Sequence, residues 1–266
     1  MLGIASPEFH DLGKYEFKAD MPSAGNIILD NETNIRVDFM LVNDLPRISY
    51  GTLAGAEIST QLDDRNDVIF GLSSWEGGSG SRVRVKIPFQ GVMSDTAFER
   101  TGNISYTQYS LGWRHYYMNN NAAWRWSYKL AVHEIFDIDF KERMVFAFAS
   151  GPAAGFKRVV VMESQGAGMM AIEAGLGAEK SMNRWLSFGM DAGYLQGVRR
   201  VVLNNGTMKT NFQEEASGSD YLQIKLPAQL GPDGSLGYLV SGTDVYKKMR
   251  MNVDGWQIVF KVNFHY

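Results

Sequence analysis

The chain has 266 residues with 28 Gly, 7 Pro and no Cys, 21% charged residues and a formal net charge of −3. The missing cysteine excludes disulfides, thiolate metal sites and cysteine nucleophiles, and the near-balanced charge gives none of the basic excess that nucleic-acid binding requires. No stretch approaches the roughly 18 uninterrupted apolar residues of a membrane helix.

The first residues, MLGIASPEF, carry neither the basic start nor the long apolar run of an export signal. Residues 1–13 therefore read as an N-terminal extension outside the fold, an artificial start ahead of a mature chain. From residue 14 onward the dominant signal is period two. Strands are expected near 14–22, 33–42, 47–59, 68–75, 82–93, 104–117, 123–135, 168–180, 185–197 and 254–266. In 123–135, for example, Trp124, Trp126, Tyr128, Leu130 and Val132 alternate with Arg125, Ser127, Lys129, Ala131 and His133. The regions 143–163 and 220–242 could each hide a further hairpin. The joints 43–47, 119–121 and 181–184 are short and turn-forming, whereas 59–67, 94–103 and 197–253 are longer and polar. Tracing strands back from the C-terminus puts the short joints at one end and the long stretches at the other. Asn204 to Gly206 is a two-residue hairpin signal inside the longest of them.

The last strand is the clearest. Trp256, Ile258, Phe260, Val262, Phe264 and Tyr266 share one face, and Gln257, Val259, Lys261, Asn263 and His265 the other. An apolar face with aromatics at both ends, backed by a mostly polar one, is what a lipid-facing barrel strand needs. The alternation also explains the mean hydropathy of −0.20 in a chain of this kind. On this strand the chain resembles the bacterial outer-membrane β-barrel proteins, whose last strand ends in an aromatic residue read by the assembly machinery. The resemblance implies an exported, integral outer-membrane protein, with the surrounding lipid and the barrel assembly machinery as partners.

The expected fold is all-β: a transmembrane, antiparallel, up-and-down barrel of about twelve strands, with ten or fourteen open. It spans 14–266, with 197–253 as a long external region. Lipid-facing aromatics are Trp124, Trp126, Tyr128, Trp256, Phe260, Phe264 and Tyr266. In these registers the lumen is lined by Arg36, Asp38, Glu57, Arg82, Arg84, Lys86, Arg114, Arg125, Lys129, Glu173, Glu179, Asp191 and Lys261. Charges of both signs in a narrow interior must pair or stay hydrated. They form either a salt-bridged plug or a narrow water-filled pore whose Arg82, Arg84 and Lys86 row favours anions.

The expected function is a narrow channel or uptake pore for small polar or anionic solutes. One alternative is a closed barrel with a structural, adhesive or interaction role through external loops. Another is a lipid hydrolase with His133 as a general base at the outer rim, working with a serine such as Ser105 or Ser110, although parity puts Ser105 on the lipid-facing side. The 63–67 stretch, DDRND, lacks the spacing of a calcium loop and reads as a solvated turn. The 77–81 stretch, GGSGS, lacks the lysine and helix of a phosphate loop and reads as a turn between strands. No cofactor and no metal is expected, and the modest size leans toward a monomer.

Overall fold

The structure is a computed structural model that describes residues 2–8, 48, 50–89, 92–117, 124–214, 220–227, 237–239, 246–248 and 250–265. Every regular element among them is a strand. In chain order these are β1 (Leu2–Glu8), β2 (Gly51–Asp63), β3 (Asn66–Phe89), β4 (Val92–Tyr116), β5 (Trp124–Phe148), β6 (Phe156–Gly166) and β7 (Met169–Ser181). They continue with β8 (Leu186–Gly197), β9 (Val201–Glu214), β10 (Asp220–Pro227), β11 (Gly237–Leu239), β12 (Tyr246–Lys248), β13 (Arg250–Met251) and β14 (Asp254–Phe264). All pairings are antiparallel, and the main sheet counts twelve strands.

The pairings close on themselves. β1 pairs β2, then β3, β4, β5, β7, β8 and β14 follow in turn, and β14 returns to β1. Eight strands thus make the ring. The remaining members of the sheet, β6, β9, β10 and β13, continue it beyond one end of the ring as an extension. Residues 2–8, expected to lie outside the fold, form the strand through which the ring closes.

One end of the ring is marked by backbone bonds. Tyr116 N donates to Arg65 O at 2.8 Å, Tyr117 N to Trp126 O at 2.9 Å and His265 N to Trp185 O at 2.9 Å. The β2–β3 turn, the β4–β5 joint, the β7–β8 joint and the end of β14 therefore share this lower end. Here the 59–67 stretch departs from the expectation: it is a tight turn at the same end as the other short joints. Asp63 is the reason, since its carboxylate accepts Arg65 N at 2.8 Å and the Asn66 side-chain amide. The joint at 43–47 and the strands expected at 14–22 and 33–42 fall outside the described residues.

The upper half of the chain also differs from its sequence reading. β3 runs unbroken through 77–81, so the strand expected at 68–75 and the 82–89 part of the one expected at 82–93 are one, while Val92 and Met93 already belong to β4. The glycines there make room rather than turns. A Cβ at Gly51 would lie 2.4 Å from the Trp75 ring, and one at Gly77 would lie as close to another atom of it. Trp75 is fully buried between them and stacks on Tyr106 at 5.1 Å. Likewise 94–103 is not an irregular loop but lies in the first half of β4, paired with β3 throughout and with β5 from Thr96 onward. The hairpin suspected at 143–163 is present as β5 and β6, while β9 runs straight through the Asn204 to Gly206 turn signal. β3 and β4 reach 24 and 25 residues, against the roughly 9–11 that cross a bilayer.

Ring and extension meet at a collar, where several strand courses break at one level. β5 carries a bulge at Asp137, the one described non-glycine with positive φ, 50°. β6 gives way to β7 at 167–168, β8 to β9 at 198–200, and β13 to β14 at 252–253. Ile138 opposite Gly166, Ile135 opposite Met169 and Ala171 opposite Gly197 put these breaks side by side. A bulge adds one residue to one strand and so exchanges its two faces. Below it Ser127, Lys129, Ala131, His133 and Ile135 point inward; above it Ile138, Phe140, Glu142, Met144, Phe146 and Phe148 do.

Candidate functional site: the interior of the ring

Each ring strand buries alternate residues and exposes the others, because the pleat turns successive side chains to opposite faces. The outward set is apolar. On β14 the exposed side chains are Trp256, Ile258, Phe260, Val262 and Phe264. On β5 they include Trp124, Trp126, Leu130 and Val132, with Tyr128 half-buried, and on β7 and β8 Ile172, Leu176, Phe188 and Met190. Aromatic pairs edge the band. Tyr109 stacks on Phe136 at 4.8 Å and Tyr194 meets Trp256 at 5.4 Å near the collar. Trp113, His115, Tyr117 and Tyr128 cluster at the lower end, where Trp185 and Phe264 also stack. Tyr266 lies outside the described residues.

The inward set converges on a chain of charges drawn from six strands. Glu57 (β2) accepts Arg114 Nη2 (β4) at 2.9 Å and Lys261 Nζ (β14) at 3.0 Å, with Lys129 Nζ (β5) 3.9 Å away. Asp191 (β8) accepts Arg114 Nη2 at 3.1 Å and is also ion-paired with Lys261. Glu173 (β7) accepts Lys129 Nζ at 3.0 Å and His133 Nε2 at 2.8 Å. Three carboxylates thus face two lysines, an arginine and a histidine, all nearly excluded from solvent. Isolated burial of any one would cost several kcal/mol, and sharing each charge between two partners offsets that cost.

A second group lies below. Arg125 donates to Glu179 at 3.1 Å and covers the Tyr116 ring at 4.1 Å. Glu179 also accepts the Ser187 hydroxyl, and His265 Nε2 stands 2.9 Å from Ser187 Oγ. Sequence reasoning gave no sign that Ser187 and His265 would join Glu179, because 78 positions separate them. Above the ion pairs the interior turns apolar, through Leu53, Trp75, Ile135, Met169 and Leu195.

No family model matches the chain, and no curated protein does. Among solved structures it is similar to the outer membrane protein OprG from Pseudomonas aeruginosa, with 15% sequence identity and a TM-score of 0.45, over 99% of this chain and 91% of that one.

Several residues expected to line the lumen do not. Arg82, Arg84 and Lys86 are exposed on the outer face of the extension, where Arg82 stands opposite Glu99 and Lys86 opposite Asp95. The cause is parity: because β3 passes straight through 77–81, its odd positions stay inward to residue 85 and its even ones outward. Arg36 and Asp38 lie outside the described residues. His133 is not at a rim but inside the ring, 2% exposed, with its Nε2 engaged by Glu173. Ser110 stands opposite it across β4 and β5, yet no hydrogen bond joins the two among the described residues, and Ser105 falls on the outward face. Among the described residues His133 has no hydroxyl nucleophile hydrogen-bonded to it.

Proposed function

We propose that the chain is an integral outer-membrane β-barrel whose ring is closed at rest, and that its extension beyond the collar is the part that meets partners. Support for the membrane comes from the outward face. A continuous apolar band edged by aromatics would aggregate in water and is stable against lipid tails. In this reading the lower end, with its short joints and the chain's C-terminal strand end, faces the periplasm, and the extension stands outside the cell.

The observation that carries the closed ring is the ion-pair chain from Glu57 through Arg114, Asp191, Lys261 and Lys129 to Glu173 and His133. Eight strands leave an interior that side chains can fill, and here they do so with charges balanced in place. A narrow channel for small polar or anionic solutes would require these pairs to part.

Planar-bilayer conductance of the detergent-folded chain, with a salt gradient across the membrane, tests the proposal. Folded protein should give no discrete steps. Discrete steps would overturn the closed ring and restore the channel, and their selectivity should then respond to Glu57→Gln or Lys129→Gln rather than to neutralising Arg82, Arg84 and Lys86.

A further inference from the structure

The collar carries a feature that the closed ring does not use. Where β8 gives way to β9, Val198, Arg199 and Arg200 are all exposed. Arg199 Nη2 donates to Gly168 O at 3.2 Å, at the matching break between β6 and β7. That bond fixes the guanidinium at the collar, and its other N–H groups donate to no described residue. Among the described residues no carboxylate is ion-paired with either arginine. Asp254, on the same collar, is already committed: its carboxylate accepts Gly197 N at 2.7 Å and the Asn252 side-chain amide. The collar's exposed acids Glu134, Asp137 and Asp139 lie on β5, one strand course away beyond β6 and β7, with Glu134 opposite Met170.

Height gives these arginines a meaning. On β8 the outward residue Tyr194 meets Trp256 at the upper edge of the apolar band, a few residues before Arg199. Met170, outward and exposed on β7, accepts Val198 N through its carbonyl at 2.9 Å, so the arginines stand directly above the band's rim. Aromatic edges of a barrel mark the interface between lipid tails and headgroups. Two guanidiniums with no ion pair among the described residues, immediately above that edge, meet the layer where lipid phosphates lie. A guanidinium matches a phosphate with two parallel N–H donors.

We infer that Arg199 and Arg200 form a docking site for the phosphate of an anionic lipid headgroup in the leaflet that surrounds the collar. The site rests on the membrane reading above. Its occupant is a lipid-borne phosphate, held by the guanidiniums while its acyl chains lie along Tyr194, Met170 and Trp256.

The test is native mass spectrometry of the folded full chain in detergent, titrated with diphosphorylated lipid A and with the same lipid A dephosphorylated. The wild-type chain should retain the phosphorylated form preferentially. That preference should fall about fivefold for each of Arg199→Gln and Arg200→Gln, the effect of one cation near a charged lipid surface. Arg184→Gln, at the opposite end, removes the same charge and should leave the preference unchanged. Equal retention of the two lipids, or an equal loss in Arg184→Gln, would overturn the site. So would displacement of the lipid by inorganic phosphate alone, which would mark a free-anion site. Heat-modifiable migration verifies folding of each variant. Flotation with phosphatidylcholine vesicles separates the two readings. A chain that floats but shows no phosphate preference sinks only this site, whereas one that does not float sinks the membrane reading and the site together.

Discussion

Glu57 is the residue on which the interior charges converge, touching Arg114 and Lys261 directly with Lys129 at 3.9 Å. Replacing it by Ala leaves three buried cations facing only Asp191 and Glu173. Loss of one member of a buried ion network costs about 3–5 kcal/mol, and urea unfolding of the vesicle-folded chain should show a loss of that size. A change below about 1 kcal/mol would be that of an exposed pair and would mean water reaches the site. At the lower turn, the Arg65 N–H, followed by the Asn66 side chain, holds the Asp63 carboxyl below its ordinary value. A lowered folded pKa stabilises above the unfolded value and is lost as pH falls through the folded one. Stability should therefore drop on acidification through that window, and Asp63→Asn should flatten the drop; an identical acid limb in the variant would refute the assignment. Arg82, Arg84 and Lys86 teach the opposite lesson. Their alternation is plain in the sequence, but alternation alone does not say which phase is inward.

For single elements, faces and bulges decide the outcome. β14 presents Trp256 to Phe264 outward along its whole length, and Phe260 sits in the middle of that row. A charge at the centre of a lipid-facing strand costs about 2–4 kcal/mol and near its end about 0–1. Phe260→Arg should therefore destabilise the folded chain by the larger amount and Phe264→Arg by the smaller, as measured by urea titration in vesicles. Equal effects would mean the face is not against lipid. In β5 the Asp137 bulge is what lets His133 and Glu142 both point inward. Deleting Asp137 would turn Phe140, Met144, Phe146 and Phe148 outward and expel the buried Glu142 from its ion pair with Arg100. Limited proteolysis should then cut the extension while the ring strands stay protected; an uncut extension would show that the bulge is dispensable. Proteins keep such bulges as features rather than defects.

Across the whole molecule, closure rests on a short strand. β1 contributes 7 residues, paired with β14 along its length and with β2 over its first part. Without it, β2 and β14 would present open edges in the apolar layer, where each unpaired backbone group costs several kcal/mol. Deleting residues 2–8 should abolish the compact, heat-modifiable form on gels. A truncated chain that still migrates as a folded barrel would show that β2 and β14 can meet without it. The same scale explains why the strand total read from the sequence and the ring differ. The main sheet counts twelve strands, yet β6–β7, β8–β9 and β13–β14 are each one course broken at the collar and β10 lies in the extension alone, so the ring needs only eight.

What the sequence determined by itself was local and periodic. It specified strands throughout, antiparallel pairing through short joints, and an apolar outer face legible in Trp256 to Phe264, because period two is a property of the strand alone. The tertiary structure decided what depends on neighbours. It made Gly77 a space for Trp75 rather than a turn, since a glycine without a Cβ serves either purpose and only the packed indole distinguishes them. It turned Arg82 to Lys86 outward and gathered Glu57, Arg114, Lys129, Glu173, Asp191 and Lys261 into one chain of charges. Inward direction and ion partners are fixed by register between strands far apart in sequence, and no window of residues carries that information.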